Sequence, residues 1–316
     1  MTVLDLPRPR VPTVARPLRI ALAGCGVVGG GVLNRLVVDR RFHLVGVLVR
    51  DRARPRDPAP PAALIVTDPA ALLAREPDVL IDALSDPSTG LALTRAALAR
   101  GIHVVTANKQ AVVEDLFPLA RQAHRAGVSL RISACVGGGA PMIETVRSAR
   151  AHAPIVALEA VLNGTVNFLL NRLAEGVDFD AAVAEAQDLG LAEADPSADL
   201  SGRDAAAKLA ILAAEAFGPQ GPRPSVVQAL TAAVTGGGRR RQLARAAPDV
   251  ATVRLGVVDH DPLFADLPGA GNALRVVCAD GRTFTCTGLG AGREPTADSV
   301  MGDLEALVAE WAGAKR

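Results

Sequence analysis

The stretch LRIALAGCGVVGGGVLNRLVV, residues 18–38, decides the fold. Its first part, LRIALAG (residues 18–24), has the length and composition of a buried strand, and apolar residues then recur at helical spacing. Gly24, Gly26 and Gly29 separate the two parts in a GxGxxG pattern. Because a strand precedes this pattern and a helix follows it, the stretch predicts a unit that binds a dinucleotide.

Each glycine has its own role in such a unit. Gly24 allows the tight turn, Gly26 lets the backbone approach a pyrophosphate, and Gly29 lets the helix pack on the strand. The helix begins at Val27 and Val28, where free amides and the positive end of the helix dipole favour a phosphate. The alternative interpretation is a glycine-rich turn without a ligand.

Strands alternate with helices along the first part of the chain. Further strands are predicted at LVGVLV, DVLIDAL and IHVVTA (residues 44–49, 78–84 and 102–107), a proline-rich loop at residues 55–61 and a helix at residues 89–100. Parallel strands need helical crossovers, so this alternation predicts an α/β fold with a Rossmann-like, doubly wound parallel sheet.

The pattern changes near Gly137, where we predict the start of a second, α+β domain. Helices are predicted at residues 142–150, 165–174, 180–189, 202–217 and 297–312, and strands at residues 155–163, 273–279 and 282–289, the last two joined by Asp280-Gly281. Ser201 is the expected N-cap of the helix at residues 202–217. Residues 218–225 and 235–241 have the composition of loops or linkers.

These patterns give three predicted regions. Residues 1–16 are a disordered leader rich in proline and arginine. Residues 17–137 form a dinucleotide-binding domain, and residues 138–292 belong to a second domain.

Composition excludes several classes of protein. With 34 basic and 33 acidic residues, no tyrosine and 3% aromatic residues, the chain lacks the charge and the stacking side chains of nucleic-acid binders. No apolar run reaches the roughly 18 residues of a membrane span, so we expect a soluble, cytoplasmic protein. The four cysteines have no CxxC spacing, which indicates buried thiols and no zinc or other metal site.

The second strand is followed by Arg50, Asp51 and Arg52. An acid at the end of this strand serves the ribose of NAD, whereas arginines suit the 2′-phosphate of NADP. Arg50 and Arg52 therefore favour NADP, while Asp51 leaves NAD open, and both arginines are equally compatible with a solvated surface.

The segment GLAEADPSADLSGRDAAAKLA, residues 190–210, concentrates charge in an alanine-rich region. Asp204 and Lys208 are four residues apart on one helix face, which by itself is typical of an exposed ion pair. Glu193 and Asp199 precede this helix, and carboxylates gathered near one lysine perturb each other's pKa values. A polar site is the alternative that this clustering raises.

Two further features lie where ligands bind in doubly wound folds. Lys109 follows the strand at residues 102–107, although a lysine there is commonly a surface charge. The run Gly137-Gly138-Gly139 is either a flexible hinge or a backbone crossing close to a ligand or ion.

Taken in order, GCGVVG, TANKQ, ACVGGGAP, LNGTVNFLL, GLAEADPSADLSGRDAAAKLAILA, LPGAGNAL and TGLGAGREPTADSVMGDL resemble homoserine dehydrogenases. The resemblance covers nearly all of residues 18–307 and is most specific in residues 190–213. It implies reversible, NADPH- or NADH-dependent reduction of L-aspartate 4-semialdehyde to L-homoserine, a step of threonine and methionine biosynthesis, by a homodimer. It also implies that residues 293–316 return to complete the dinucleotide-binding domain with residues 17–137, and that residues 138–292 form the substrate-binding and dimerisation domain.

The resemblance also implies roles for single residues. Lys208 is the leading proton donor and Lys109 lies between nicotinamide and substrate, where it is the rival for proton transfer. Residues at substrate-site positions are Glu193, Asp199 and Asp204, with the loop pair Gly164 and Thr165. Residues at the cofactor are Gly290 and Gly292, in a turn that returns to it, and Leu84 and Ser85, in the segment IDALSDPST.

The chain departs from the family in three places. Ser133 stands where the family usually has a glutamate that helps bind sodium, so a cation at Val136, Gly138 and Ala140 is not expected. The segment IDALSDPST lacks the common ELIGG pattern. The region 219–253 is short and no regulatory ACT domain follows, so feedback inhibition through such a domain is not expected.

Three alternatives to this activity stay open at this point. One is a dehydrogenase of a homoserine-like substrate in a specialised pathway. Another is a semialdehyde dehydrogenase with Cys135 as acylating nucleophile, for which only His124 and His152 are candidate bases. The third is a dinucleotide-binding sensor without catalysis.

Overall fold

The computed structural model describes residues 16–233, 238–290 and 292–313. The predicted leader, except Arg16, therefore lies outside the described residues, as does part of the predicted linker at residues 235–241.

Twelve strands and twelve α-helices make up the described residues. The strands are β1 (Leu18–Ala23), β2 (Phe42–Leu48), β3 (Ile65–Val66), β4 (Val79–Asp82), β5 (His103–Thr106), β6 (Leu130–Arg131), β7 (Ile155–Val161), β8 (Ser225–Val226), β9 (Arg240–Ala247), β10 (Val250–Val257), β11 (Gly271–Cys278) and β12 (Thr283–Leu289). The helices are α1 (Val27–Leu36), α2 (Pro69–Leu73), α3 (Pro87–Ala99), α4 (Lys109–Val112), α5 (Leu116–Ala126), α6 (Met142–His152), α7 (Gly164–Ala174), α8 (Phe179–Asp188), α9 (Ser197–Leu200), α10 (Arg203–Phe217), α11 (Pro262–Ala265) and α12 (Arg293–Gly313).

The first sheet has the strand order β3-β2-β1-β4-β5-β6, and all its pairings are parallel. The order reverses beside β1, which places the carboxyl ends of β1 and β4 at a switch point where doubly wound folds bind ligands. The predicted Rossmann-like sheet is confirmed.

The second sheet has the order β12-β11-β7-β9-β10-β8 and is antiparallel except for the β8–β10 pair. Helices α6 and α10 pack on one of its faces, where their apolar side chains join those of β7, β9 and β11 in one core. The predicted second domain of mixed helices and strands is also confirmed.

Two local predictions are wrong. The helix at the charged segment begins at Arg203, and its N-cap is Gly202 with φ +79°, whereas Ser201 ends α9. A left-handed residue between two helices needs glycine, so the turn chemistry overrides the serine signal. Arg240 and Arg241 belong to β9 instead of a linker, because Arg241 is buried and donates to the carbonyls of Phe264 and Ala265.

Helix α12 packs beside α1 on the first sheet. Val32 and Leu33 of α1 share one apolar cluster with Val300 and Leu304 of α12. A Cβ atom at Gly31 would lie 3.0 Å from the Cβ of Ala297, so the two helices cross at close range. The helix that follows the second sheet thus covers the first sheet.

The glycine run at residues 137–139 crosses the segment that links β12 to α12. The Gly139 amide donates to the Leu289 carbonyl at 3.0 Å, and a Cβ at Gly138 would lie 2.8 Å from the Gly290 backbone. The glycines therefore allow two backbones to touch where the chain passes between the two sheets.

In the described ranges, no helix is long and apolar enough to span a membrane.

Candidate active site

A cleft of about 1130 Å³ lies between the carboxyl edge of the first sheet and the helices of the second part. It brings together most of the side chains and glycines that the sequence singled out. Its lining includes Val27, Val28, Lys109, Gly164, Thr165, Glu193, Asp199, Asp204, Lys208, Gly290 and Gly292.

The glycine loop at one end of the cleft has the geometry of a dinucleotide cradle. Gly24 has φ +92°, and a Cβ there would lie 2.5 Å from the Ala83 carbonyl. A Cβ on Gly29 would lie 2.1 Å from the Gly24 carbonyl, whereas one on Gly26 would meet no atom within 4 Å. The space at Gly26, beside the N-terminus of α1, is therefore free for a pyrophosphate.

At the centre of the cleft, one carboxylate joins two lysines. Asp204 Oδ1 lies 3.0 Å from Lys109 Nζ, and Asp204 Oδ2 lies 2.8 Å from Lys208 Nζ. Asp204 and Lys208 face each other because they are one turn apart on α10, while Lys109 reaches them from the first residue of α4. The site is thus assembled from both sheets.

Asn163 connects this centre to a second carboxylate. Its Nδ2 donates to Asp199 Oδ1 at 2.6 Å and to Asp204 Oδ2 at 2.9 Å, while its Oδ1 accepts from the Val166 amide and caps α7. The sequence alone gives no contact between Asn163 and these two carboxylates. An asparagine that ends a strand and starts a helix is a typical N-cap, and this local signal marks Asn163.

The charged groups of the site, together with their burial, shift one another's pKa values. Burial raises the pKa of Asp204, but Lys208 and Lys109 outweigh it, so its pKa lies well below the usual range. Burial lowers the pKa of Lys109, and Asp204 reverses this, so the net shift is upward. Burial raises the pKa of Asp199, and the Asn163 hydrogen bond opposes this only in part. At neutral pH the centre therefore holds a carboxylate between ammonium groups.

Lys208 has a fixed orientation. Besides Asp204 it donates to the Leu162 carbonyl at 2.9 Å, and that carbonyl also accepts from the buried Asn272 at 3.3 Å. An ammonium has three N–H donors, so one is left for a ligand in the cleft.

The N-terminus of α7 opens into the same cleft. A Cβ at Gly164 would lie 2.6 Å from the Ala270 carbonyl, so the glycine permits this close approach. Thr165 Oγ1 donates to the Leu191 carbonyl at 2.6 Å, which ties α7 to the loop that carries Glu193. Glu193 itself is exposed at the lining of the cleft.

Four other candidate cofactor residues, Arg50, Arg52, Leu84 and Ser85, lie outside this lining. Arg50 and Arg52 are exposed just after β2, and Arg52 donates to the Ile65 carbonyl at 2.7 Å. The Leu84 amide is close to Gly24, and Ser85 is exposed beside it. Arg293, which we did not select from the sequence, donates to the Asp57 carbonyl at 2.7 Å and approaches Gly30 at the start of α1.

The geometry at Cys135 does not suit a nucleophile. Its thiol is buried, donates to the Thr106 carbonyl at 3.2 Å, and has a pKa raised by burial. His152, one of the candidate bases, is hydrogen-bonded to Asp280 and not to the Cys135 thiol.

Among the described residues, no three His, Cys, Asp or Glu side chains are grouped to hold a metal.

Two family models match the chain. The model described as homoserine dehydrogenase matches residues 141–304, and the model described as homoserine dehydrogenase, NAD binding domain, matches residues 24–133.

The chain belongs to the homoserine dehydrogenase family.

Individual members agree with this assignment. A homoserine dehydrogenase of Pseudomonas aeruginosa is 33% identical over 93% of this chain and 73% of that relative. One from Synechocystis is 35% identical over 66% of this chain, and the match spans 50% of that relative's length. The crystal structure of a homoserine dehydrogenase from Thiobacillus denitrificans has a TM-score of 0.82 and 31% identity, covering 93% of this chain and 73% of that chain.

Proposed function

We propose that this family member is a homoserine dehydrogenase that interconverts L-homoserine and L-aspartate 4-semialdehyde with NADP(H), and with NAD(H) as a weaker cofactor. The observation that carries the proposal is the Lys109–Asp204–Lys208 cluster, which lies in the same cleft as the dinucleotide cradle. Family membership supports the substrate and a place in threonine and methionine biosynthesis.

Lys208 is the proposed proton donor and acceptor at the substrate oxygen. In the reductive direction, bound NADPH would supply a hydride to the aldehyde carbon, and the substrate oxygen would then carry negative charge that must be stabilised and protonated. The third N–H of Lys208 is free to stabilise and protonate that oxygen, because Asp204 and the Leu162 carbonyl hold the other two. Asp204 orients both lysines. Lys109 is the rival within this mechanism, since it contacts the same carboxylate.

The two charged groups of the amino-acid substrate have partners of opposite character. The ammonium group fits the acidic side of the cleft at Glu193 and Asp199. The carboxylate fits the N-terminus of α7 at Gly164 and Thr165, where backbone amides and the helix dipole favour an anion. This arrangement selects small substrates that carry both charges.

The glycine loop fits the cofactor. Gly24, Gly26 and Gly29 with the amides of Val27 and Val28 are the proposed pyrophosphate site, and Gly290 and Gly292 return the chain to the cofactor. Arg50 and Arg52 are the proposed partners of a 2′-phosphate, while Leu84 and Ser85 form the adjoining loop.

The residues near Gly138 do not fit a sodium ion. The Gly138 carbonyl accepts from Ser299 Oγ, and the Ala140 carbonyl accepts from the Met142 amide at 2.8 Å. Ser133, in place of the family's glutamate, binds Asp303 and Glu144. Both carbonyls thus have protein donors, and we propose that catalysis does not depend on sodium.

A homodimer through the second sheet is the proposed assembly. Side chains alternate along β12, and Thr283, Thr285 and Leu289 are exposed on the face opposite the core. Light scattering on the purified protein measures the mass, and a monomer would contradict the proposal.

An assay of NADP and NAD reduction with L-homoserine tests the activity. Turnover is expected with L-homoserine, and analogues without the amino group or the carboxylate should react poorly. Binding of NADPH without turnover of homoserine or its analogues would instead indicate a sensor. Preferred turnover of an analogue would indicate a specialised substrate.

A further inference from the structure

Asp82, at the carboxyl end of β4, is a buried carboxyl group that the mechanism above does not use. Its side chain is fully buried. In the described part of the chain, no arginine, lysine or histidine forms an ion pair with it. Such a group is costly to bury unless hydrogen bonds compensate, so its partners indicate its role.

One oxygen of Asp82 fixes the loop beside the glycine cradle. Asp82 Oδ1 accepts from the Leu84 amide at 3.0 Å. The same amide lies 3.0 Å from the position of a Cβ on Gly24. The Asp82–Leu84 hydrogen bond therefore sets the path of the chain on the cofactor side.

The other oxygen leads to the lysine. Asp82 Oδ2 accepts from Thr106 Oγ1 at 3.4 Å, and Thr106 Oγ1 accepts from the Asn108 amide at 3.0 Å. Asn108 in turn caps α4, because its Oδ1 accepts from the Ala111 amide at 3.3 Å. Lys109 is the first residue of α4, so its backbone position depends on this chain of hydrogen bonds.

Helix α3 packs closely against Asp82 and Asn108 and leaves these side chains little room to move. A Cβ at Gly90 would lie 2.4 Å from Asn108 Nδ2 and 2.7 Å from Asp82 Oδ2, so only glycine lets α3 come this close. Asn108 Nδ2 also donates to the Asp86 carbonyl at 3.2 Å. Turns before α3 and α4 are thus tied to one buried carboxyl group.

We propose that Asp82 is a positioning residue that sets the cofactor loop through Leu84 and the Lys109 turn through Thr106, so that cofactor and lysine are held in a fixed relation. This inference rests on the proposed dehydrogenase function.

The ionised form of Asp82 suits this role, because a carboxylate accepts from both sides at once. Burial raises its pKa to about 6, although the Leu84 amide, Thr106 and Asn108 lower it. Asp82 is therefore ionised at pH 8, the pH chosen for the experiments below. The nearby Cys135 stays a neutral thiol at this pH, because burial raises its pKa above the usual value of a thiol.

The two branches can be separated by substitution. Thr106→Val keeps the shape of the side chain and removes only the link toward Lys109. At pH 8 its kcat for homoserine oxidation should fall about tenfold or more, because a small displacement of a reacting group is costly. Its affinity for NADPH, measured by fluorescence titration, should stay within about twofold of the original protein's.

Asp82→Asn weakens both branches, because it removes the negative charge that strengthens both hydrogen bonds and leaves one accepting oxygen where the carboxylate has two. Both the affinity for NADPH and kcat should fall, each about tenfold or more. Thr94→Val is the matched control, since Thr94 Oγ1 is buried in α3 without a hydrogen-bond partner. That variant should retain kcat, NADPH affinity and melting temperature.

The outcomes decide the inference separately from the activity. Unchanged kcat in Thr106→Val overturns it, and so does a parallel loss of kcat, NADPH affinity and melting temperature in that variant, which indicates a general structural role. If the original protein shows no homoserine turnover, the proposed function fails. The cofactor branch is then still tested by whether NADPH affinity falls in Asp82→Asn and persists in Thr106→Val.

Discussion

Lys109 and Asp204 form an ion pair of 3.0 Å between the edge of the parallel sheet and helix α10 of the second part. Both side chains are largely buried, so solvent screens the pair less than a surface ion pair. Because Asp204 also holds Lys208, the position of the proposed catalytic centre depends on how the two sheets are placed relative to each other.

Replacement of Lys208 tests the proposed proton transfer. Lys208→Ala should lower kcat about a hundredfold or more, the scale of a positioned acid or base. Asp204 keeps Lys109 as a partner, so the melting temperature and NADPH affinity should change little. Lys109→Ala is the comparison, and a larger loss of kcat there would reassign the proton transfer to Lys109. If turnover persists in Lys208→Ala and stability falls by only about 0.5 kcal/mol, the pair is an ordinary helix ion pair.

The pH profile tests the electrostatic role of Asp204. Its carboxylate raises the pKa of Lys109, and without it burial lowers that pKa. A neutral Lys109 cannot protonate the substrate, so if Lys109 rather than Lys208 transfers the proton, the alkaline loss of semialdehyde reduction in Asp204→Asn should begin at lower pH than in the original protein. An unshifted alkaline limb in steady-state kinetics would count against the coupling.

The same carboxyl group affects acid stability. The folded-state pKa of Asp204 lies below its unfolded value, so its contribution to the free energy of unfolding is present above about pH 4 and is lost as the pH falls further. Thermal melting should show Asp204→Asn less stable than the original protein at pH 7, with the difference shrinking toward pH 2. A constant difference would contradict this linkage.

Two glycines of the cradle should respond differently to the same substitution. Gly29→Ala places a Cβ 2.1 Å from the Gly24 carbonyl and should destabilise the fold by about 1–3 kcal/mol or more. Gly26→Ala meets no atom within 4 Å, so the protein should fold normally while NADPH affinity falls. Melting curves and fluorescence titrations distinguish the two, and equal behaviour of both variants would contradict the cradle.

The arginines after β2 test the cofactor preference. Replacement of Arg50 and Arg52 by alanine should weaken NADP binding about tenfold or more and leave NAD binding unchanged, because only NADP carries the 2′-phosphate. Arg54→Ala is the matched control, an exposed arginine of the same loop. Equal losses for both cofactors would remove the 2′-phosphate role.

Salt substitution tests the sodium proposal. Rates in NaCl and KCl of equal ionic strength should agree, since protein donors already bind the Gly138 and Ala140 carbonyls. Specific activation by Na⁺ would show that these contacts rearrange around an ion.

The sequence predicts those elements whose buried side chains also form a regular apolar pattern along the chain. The first sheet follows from apolar runs that alternate with helical segments, and the cradle follows from Gly24, Gly26 and Gly29. Strand β9, RRQLARAA, was missed because its polar residues give no regular alternation, and Arg241 is buried against carbonyl groups that only the tertiary structure brings near. Strand β10, VATVRLGV, alternates apolar and polar residues from Ala251 to Leu255, so its signal was present in the sequence.

The charged centre was partly predictable. The four-residue spacing of Asp204 and Lys208 predicted that they share one helix face. It could not predict the ion pair between Lys109 and Asp204, because these residues are far apart in the chain. The network of Asp82, Thr106 and Asn108 was likewise not predictable from spacing, because its members come from different strand ends and meet only in the folded sheet.

The packing of α12 against α1 has a consequence for synthesis of the protein on the ribosome. Arg35 and Asp298, which pair across these helices, are 263 residues apart. Val32 and Leu33 find the apolar side chains of α12 only after almost the whole second sheet has been translated. The nascent first sheet is therefore expected to expose one apolar surface to solvent until α12 has been synthesised.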